Sequence, residues 1–134
     1  MKANAGTAGH PTYSGSKFIQ LLGAHWWRRN LASSQVRVVA VSPGLVPGTG
    51  LGKNFGLAPG NPDAKTNEEG GDNVLRAMTI EDFPDDEEQI FLTSWGEWWG
   101  KDVYQSSLDK ALQDEWAFGV EEIEKEAAVQ KSNS

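Results

Sequence analysis

The chain has 134 residues, a formal net charge of −7 at neutral pH and no cysteine. A chain of this length predicts one domain, residues 1–134, with a core of ordinary size. The negative charge argues against a nucleic-acid partner, and the lack of cysteine excludes a disulfide, a thiolate nucleophile or a zinc–thiolate site. No segment is apolar over the length of a membrane span. We therefore expect a cytoplasmic protein that has no membrane partner.

The first predicted element is a long helix from about residue 12 to residue 32, with Thr12 as its N-cap after Pro11. Two sides of this helix are apolar: one has Phe18, Leu21, Leu22 and His25, and the other has Ile19, Trp26 and Trp27. A helix that is apolar on two sides packs on two sides. We therefore expect a homodimer, or a complex with a complementing chain, through residues 13–32.

A short parallel strand is predicted at "VRVVAV", residues 36–41, because the segment is β-branched and almost continuously apolar. The Gly- and Pro-rich residues 42–64 are then expected to form a long loop. This loop suggests a phosphate-binding turn but fits neither common pattern. Pro47 and Asn54 break the P-loop pattern, and Phe55 takes the place of the third glycine of G-x-G-x-x-G.

The second half of the chain predicts a helix over residues 68–78, an acidic surface turn "EDFPDDEE", and a strand in "QIFLTSW", residues 89–95. A further helix is expected from Asp102 onward, with one face made of Tyr104, Leu108, Ala111, Leu112 and Trp116. The segment "VEEIEKEAA" predicts a last helix, and residues 130–134 are expected to fray. The tryptophans at 95, 98, 99 and 116 are interpreted as core or interface, with ligand stacking as the alternative.

The stretch "HPTYSGSK" places Tyr13 four residues before Lys17, near the start of the first helix. Residues four apart on a helix project from the same side. A positive charge beside a phenol favours the phenolate, and a tyrosine in that setting can exchange a proton with a carbonyl or alcohol oxygen. Because an exposed Tyr-x-x-x-Lys pair also arises by chance, the spacing alone leaves both interpretations open.

The order of these motifs resembles the C-terminal half of a short-chain dehydrogenase/reductase. The "YSGSK" helix resembles the catalytic helix of that family, "VSPGLVPGTGL" resembles its Pro-Gly motif at a strand end, and "QIFLTSWGEWW" resembles its last strand. The last third is most similar to fungal members related to retinol and protochlorophyllide reductases. The resemblance extends from about His10 to Glu126 and implies an α/β, partial Rossmann-like fold with few parallel strands and about four helices.

The resemblance also implies roles for individual residues. Tyr13 would be the acid/base and Lys17 its electrostatic partner, and Pro43, Gly44, Val46 and Thr49 would line the nicotinamide end of a cofactor. The family's Gly-rich phosphate turn and catalytic serine lie upstream of the tyrosine and have no counterpart in the sequence before Tyr13. We therefore expect the isolated chain to bind no cofactor, and NADP or NAD to bind only if a second polypeptide completes the site.

Three functions remain open at this point. The chain could be the oxidoreductase half just described, acting on a small-molecule substrate. It could be a repurposed enzyme that uses Tyr13 and Lys17 for proton transfer, isomerisation or cyclisation without redox chemistry. It could also be a non-catalytic oligomeric binding module. No metal site is expected, because His10 and His25 lack ligand spacing and the acidic turn lacks the spacing of a calcium loop.

Overall fold

The computed structural model describes residues 9–54, 60–117, 119, 121–125 and 128. The predicted frayed tail, residues 130–134, lies outside the described residues. In chain order the elements are α1 (Gly9–Asn30), β1 (Ala40–Val41), α2 (Gly50–Asn54), α3 (Asn67–Thr79), β2 (Phe91–Leu92), a 3₁₀ helix (Lys101–Leu108) and α4 (Lys110–Trp116). In the part of the chain that the structure describes, two parallel strands and the helices around them confirm the predicted partial Rossmann-like α/β fold.

The chain divides into two compact units. One consists of Met1–Val36 together with Ser106–Ser134, and the other is Arg37–Gln105. No helix in the described part of the chain combines the length and the apolar character needed to cross a bilayer.

In the first unit, α1 packs against α4. The prediction of a long first helix is confirmed, but Thr12 is not its N-cap: α1 begins at Gly9 and Thr12 lies inside it. Pro11 therefore occupies the first turn, where its missing N–H would have had no helical partner in any case. Leu22 and His25 are fully buried, in keeping with a packing role for this histidine.

Arg29 makes two polar contacts between α1 and α4. Arg29 Nε donates to Gln113 Oε1 at 2.8 Å, and Arg29 Nη2 pairs with Asp114 Oδ1 at 2.5 Å. Gln113 is 1% exposed, and its Nε2 donates to the Ser107 carbonyl at 2.7 Å. A buried amide is stable only when its hydrogen bonds are made, so this glutamine fixes both the facing helix and the preceding turn.

The prediction of a single helix from Asp102 onward is wrong, because two helices, the 3₁₀ helix and α4, occupy that segment. Tyr104 interrupts the 3₁₀ helix with φ −127° and ψ 28°. Asp109 then begins α4 as an N-cap, its side chain accepting from the N–H groups of Ala111 and Leu112. Because the helix restarts at Asp109, the five residues expected to share one helical face belong to two different helices.

In the second unit, β1 and β2 pair in parallel with Ala40 opposite Phe91 and Val41 opposite Leu92. Leu92 of β2 and Ile90 just before the strand are buried, so this segment supplies part of the core of the unit. Both strands are much shorter than predicted. The pairing stops at Ile90, because residues before it turn back with Gln89 N donating to the Asp86 carbonyl and Ile90 N donating to the Glu88 carbonyl.

The helix α3 agrees closely with its prediction. A capping box defines its start: Thr66 Oγ1 accepts from Glu69 N, and Glu69 Oε2 accepts from Thr66 N. This arrangement satisfies two backbone donors that the first turn would otherwise leave unpaired. The predicted loop over residues 42–64 is more ordered than expected, since it contains α2 and a parallel bridge between Leu45 and Ala64.

Candidate functional site

The first group of predicted site residues lies on α1. Tyr13 is 37% exposed, and Lys17 Nζ lies 5.6 Å from the centroid of its ring, within the range of a cation–π contact. Lys17 Nζ also donates to Gln20 Oε1 at 3.0 Å. The two side chains therefore share one accessible face of the helix, and an ammonium group lies beside the phenol ring.

The second group follows the carboxyl end of β1. Pro43, Gly44 and Val46 lie in what we call the Pro-Gly turn (residues 42–46), and Thr49 directly precedes α2. Gly44 has φ +90°, a conformation that favours glycine. A Cβ added there would lie 2.9 Å from Lys65 Cγ and 3.1 Å from Ser94 Cβ, so the turn packs closely against the residues that follow β2. The Gly44 N–H donates to Ser42 Oγ at 3.2 Å, which closes the turn.

Thr49 and Val46 hydrogen-bond to each other. The Val46 carbonyl accepts from both the N–H and the hydroxyl of Thr49, at 3.2 and 2.8 Å. Thr49 Oγ1 in turn accepts from Gly52 N at 3.0 Å. Since a hydroxyl oxygen can accept twice, the exposed Thr49 keeps one acceptor position for a ligand, whereas the Val46 carbonyl has used both of its own.

Two residues of α3 support the Pro-Gly turn, and sequence reasoning missed both. Asn73 is 4% exposed, and its Nδ2 donates to the Pro43 carbonyl at 3.1 Å. Arg76 Nη1 donates to Asn73 Oδ1 at 3.0 Å. The only signal in the sequence was their spacing of three residues on one helix face, which does not by itself name a partner.

A tight turn follows β2, and we call it the tryptophan turn (residues 93–97). Thr93 is 2% exposed; its N–H donates to the Glu97 carbonyl at 2.8 Å, and its carbonyl accepts from Gly96 N at 3.1 Å. Thr93 Oγ1 accepts from the N–H groups of Trp95 and Glu97 at 3.3 and 3.2 Å. One buried threonine therefore fixes the whole turn at the same end of the sheet as the Pro-Gly turn.

Most of the remaining aromatic residues of this unit have a ring partner in the described part of the chain. Phe91 stacks on Trp99 with ring centroids 5.0 Å apart, and Tyr104 lies 6.2 Å from Phe91. Burial raises the pKa of the Tyr104 phenol. Trp98 donates its indole N–H to the Asp82 carbonyl at 3.1 Å. Trp95 has no ring partner among the described residues, and 60% of it is exposed, compared with 40% of Trp99.

The predicted site residues thus divide between the two units. Tyr13 and Lys17 belong to the first unit, and Pro43, Gly44, Val46 and Thr49 belong to the second. In each unit the members of the group lie together: the pair shares a helix face, and the other four line one turn and the start of α2.

Comparison with known proteins gives one informative match. The chain is 55% identical over 127 residues to a short-chain dehydrogenase/reductase from Pestalotiopsis microspora. The match covers 92% of this chain but 43% of the relative, so the chain spans less than half the length of that protein. No family model matches the chain, and no solved structure matches it.

An identity of 55% over nearly the whole chain reflects common descent and confirms the resemblance to the C-terminal half of such a protein. The motifs "YSGSK" and "SPG" lie where that resemblance requires them, on a long helix and at the carboxyl end of a parallel strand. The chain therefore belongs to the short-chain dehydrogenase/reductase family.

Proposed function

We propose that this chain supplies the proton-transfer pair and the nicotinamide-end turn of a short-chain carbonyl reductase. The observation that supports this proposal most directly is the Tyr13–Lys17 pair, exposed on one face of α1 in a chain of this family. Segments that correspond to the unmatched part of the Pestalotiopsis relative would hold the rest of the dinucleotide. The alternatives, a non-redox enzyme and a binding module, are outcomes of the tests below.

In the proposed reaction, the Tyr13 hydroxyl donates a proton to the carbonyl oxygen of the substrate as that carbonyl becomes an alcohol. The ammonium group of Lys17 stabilises the phenolate that remains, because an opposite charge favours the ionised form. The hydrogen bond from Lys17 to Gln20 holds the ammonium on the same helix face as Tyr13. A positioned acid of this kind typically contributes about 10²–10⁴-fold to the rate.

The Pro-Gly turn fits the nicotinamide end of a dinucleotide, which supplies or accepts the hydride when it is bound. Pro43 is exposed, so its ring is accessible as an apolar contact for the nicotinamide ring. The free acceptor position of Thr49 Oγ1 suits the carboxamide N–H₂ group. These contacts concern one end of the cofactor only, so we expect the isolated chain to bind NADP(H) or NAD(H) more weakly than about micromolar.

The proposal is tested by mixing this chain with a polypeptide that covers the unmatched part of the Pestalotiopsis relative. Oxidation of NADPH or NADH is followed over a panel of aldehydes and ketones. Activity is expected in the mixture, and calorimetry should show that the dinucleotide binds the mixture more tightly than either polypeptide. Tight dinucleotide binding by this chain alone would refute the need for the second polypeptide.

Variants of α1 test the chemical roles. Tyr13→Phe removes the proton and keeps the ring, and Lys17→Met removes the charge and keeps most of the stem. Each should lower turnover by about 10²–10⁴-fold, and the double variant should be little worse than Tyr13→Phe because the two residues act as a unit. Ser14→Ala, which removes an exposed hydroxyl beside Tyr13, is the control and should retain activity. Full activity of Tyr13→Phe would end the proton-transfer proposal.

A further inference from the structure

Trp95 is a large aromatic residue of the second unit for which the described contacts show no structural role. It is 60% exposed, and it makes no ring contact with another residue in the described part of the chain. Trp98 and Trp99 of the same segment both have ring partners, at 5.7 Å and 5.0 Å. An exposed indole removes little surface from water and so contributes little to folding.

The backbone that presents Trp95 is rigid. The tryptophan turn contains four hydrogen bonds that involve Thr93, which is itself 2% exposed. Gly96 follows at φ +82°, a conformation that favours glycine. A side chain on such a turn loses less conformational freedom when a ligand binds than one on a mobile loop, which is the general advantage of preorganisation.

A positive charge lies beside this turn. Arg76 Nη1 would be 3.2 Å from a Cβ at Gly96, the residue after Trp95. Its guanidinium is held by Asn73 through a hydrogen bond of 3.0 Å, and it forms no ion pair with any residue that the structure describes. A guanidinium has five N–H donors, so several remain available to an anionic oxygen.

Both groups lie at the carboxyl end of the parallel strands, where open α/β sheets bind their ligands. Asn73 connects Arg76 to the Pro43 carbonyl, so the charge, the Pro-Gly turn and the tryptophan turn are tied into one edge of the second unit. We propose that Trp95 and Arg76 form a binding site for a planar aromatic compound that carries a carboxylate or phenolate oxygen. Its identification as the substrate rests on the function proposed above.

The ligand class follows from the two side chains. The face of an indole prefers offset or edge-on contact with another aromatic ring, which selects planar ring systems over saturated ones. A guanidinium selects carboxylate or phenolate over a neutral group, through charge-assisted hydrogen bonds. The chain as a whole has a net charge of −7, so a general attraction for anions does not account for such binding.

The experiment uses the whole chain with nitrogen-15 in its six tryptophans, so that each indole N–H gives its own NMR signal. The probe is 2-naphthoate, with neutral 2-acetylnaphthalene and non-planar cyclohexanecarboxylate as comparison compounds. The Trp95 signal, assigned by its loss in Trp95→Leu, is expected to shift most and to saturate with 2-naphthoate. It should shift less with either comparison compound.

Variants separate the contribution of Trp95 to binding from that of Arg76. Trp95→Leu lacks the Trp95 signal, so its binding is measured through the NMR signals of 2-naphthoate itself; it should weaken binding by about 2- to 12-fold, the range for one aromatic pair. Arg76→Gln should remove the preference for 2-naphthoate over 2-acetylnaphthalene, about 2- to 5-fold for an exposed charge, and Arg76→Lys should restore part of it. Two variants serve as controls. Met78→Ala shortens a side chain that is 80% exposed, and Arg37→Gln removes a guanidinium whose Cζ lies 4.3 Å from the centroid of the Phe83 ring. Both controls should leave binding unchanged.

The proposal is overturned if Trp95→Leu binds as tightly as the parent chain, or if Met78→Ala weakens binding equally. Loss of binding in Arg37→Gln to the same degree as in Arg76→Gln would also overturn it. The measurement needs neither cofactor nor turnover. A reductase that forms in the mixing experiment while 2-naphthoate fails to bind would therefore contradict the aromatic site and leave the proposed function standing.

Discussion

Two adjacent glycines of α3 give a sharp test of how this helix meets the Pro-Gly turn. A Cβ added at Gly70 would lie 3.0 Å from Val46 Cγ2 and 3.7 Å from the Pro43 carbonyl oxygen. A Cβ added at Gly71 would meet nothing within 4 Å. Both residues lie inside the helix, so a change to alanine gives each the same gain in helix propensity.

That gain is about 0.8–1.0 kcal/mol for glycine to alanine in a helix interior. Gly71→Ala should therefore raise the free energy of unfolding by nearly that amount. Gly70→Ala has the same gain but forces a methyl against Val46, whose β-branched side chain has little rotamer freedom. Inserting a carbon into a packed contact typically costs about 1–3 kcal/mol, so Gly70→Ala should lie between neutral and about 2 kcal/mol less stable.

Urea unfolding followed by tryptophan fluorescence measures the difference. With an m-value of about 2 kcal/mol per molar urea, the midpoints of the two variants should differ by about 0.5–1.5 M, with Gly71→Ala the higher. Adding Val46→Ala should relieve Gly70→Ala and not Gly71→Ala, as a coupling between contacting residues predicts. Equal stabilisation by both alanines would show that α3 does not pack on Val46 as described.

Two further predictions concern other parts of the chain. Burial raises the pKa of Tyr104 above its unfolded value, so the stability that this phenol contributes is fully present below about pH 10 and is lost as the pH rises through the folded pKa. Tyr104→Phe should remove this loss of stability at alkaline pH, as measured by urea unfolding at a series of pH values. The control variant Lys101→Met should still show the loss. We predict that Trp26 and Trp27, whose ring centroids lie 5.0 Å apart, anchor a homodimer through α1. Trp26→Ala should therefore lower the molecular mass measured by light scattering. A parent chain that is monomeric at micromolar concentration would contradict the prediction.

The helices show which parts of the fold can be predicted from the sequence. The helix α3 was predicted nearly to its ends, because its boundary is set by local chemistry: Thr66 and Glu69 form the capping box within four residues of chain. The predicted start of α1 at Thr12 is wrong, because Pro11 lies inside the helix rather than before it. A proline needs no helical hydrogen bond in the first turn, so the helix extends back to Gly9.

The strands show the opposite case. The apolar segment at residues 36–41 predicts a strand along its whole length, but only Ala40 and Val41 pair. Pairing depends on the partner strand as well, and β2 begins only at Phe91, because the segment before it forms turns in which the Asp86 and Glu88 carbonyls accept hydrogen bonds. A contact between residues about fifty positions apart leaves no trace in the periodicity of either segment.

The residues of the candidate site show the same difference between local and long-range contacts. Tyr13 and Lys17 were found because their relation is local, four residues on one helix. Asn73 was not found, because its contact with the Pro43 carbonyl joins residues thirty positions apart. A polar residue in the middle of α3 looks like a surface position until the fold shows that it is 4% exposed.

The buried polar residues of the second unit suggest how its edge is built for a ligand. Burying Asn73 and Thr93 is unfavourable unless their hydrogen bonds are made. Each makes them to the backbone just beyond a strand: Asn73 to Pro43 after β1, and Thr93 within the tryptophan turn after β2. These two side chains therefore hold the chain where ladder hydrogen bonds have ended. Gly44, Trp95 and the guanidinium that Asn73 holds are fixed before any ligand arrives. If the binding site proposed above exists, this preorganisation lowers the conformational cost of binding at this edge.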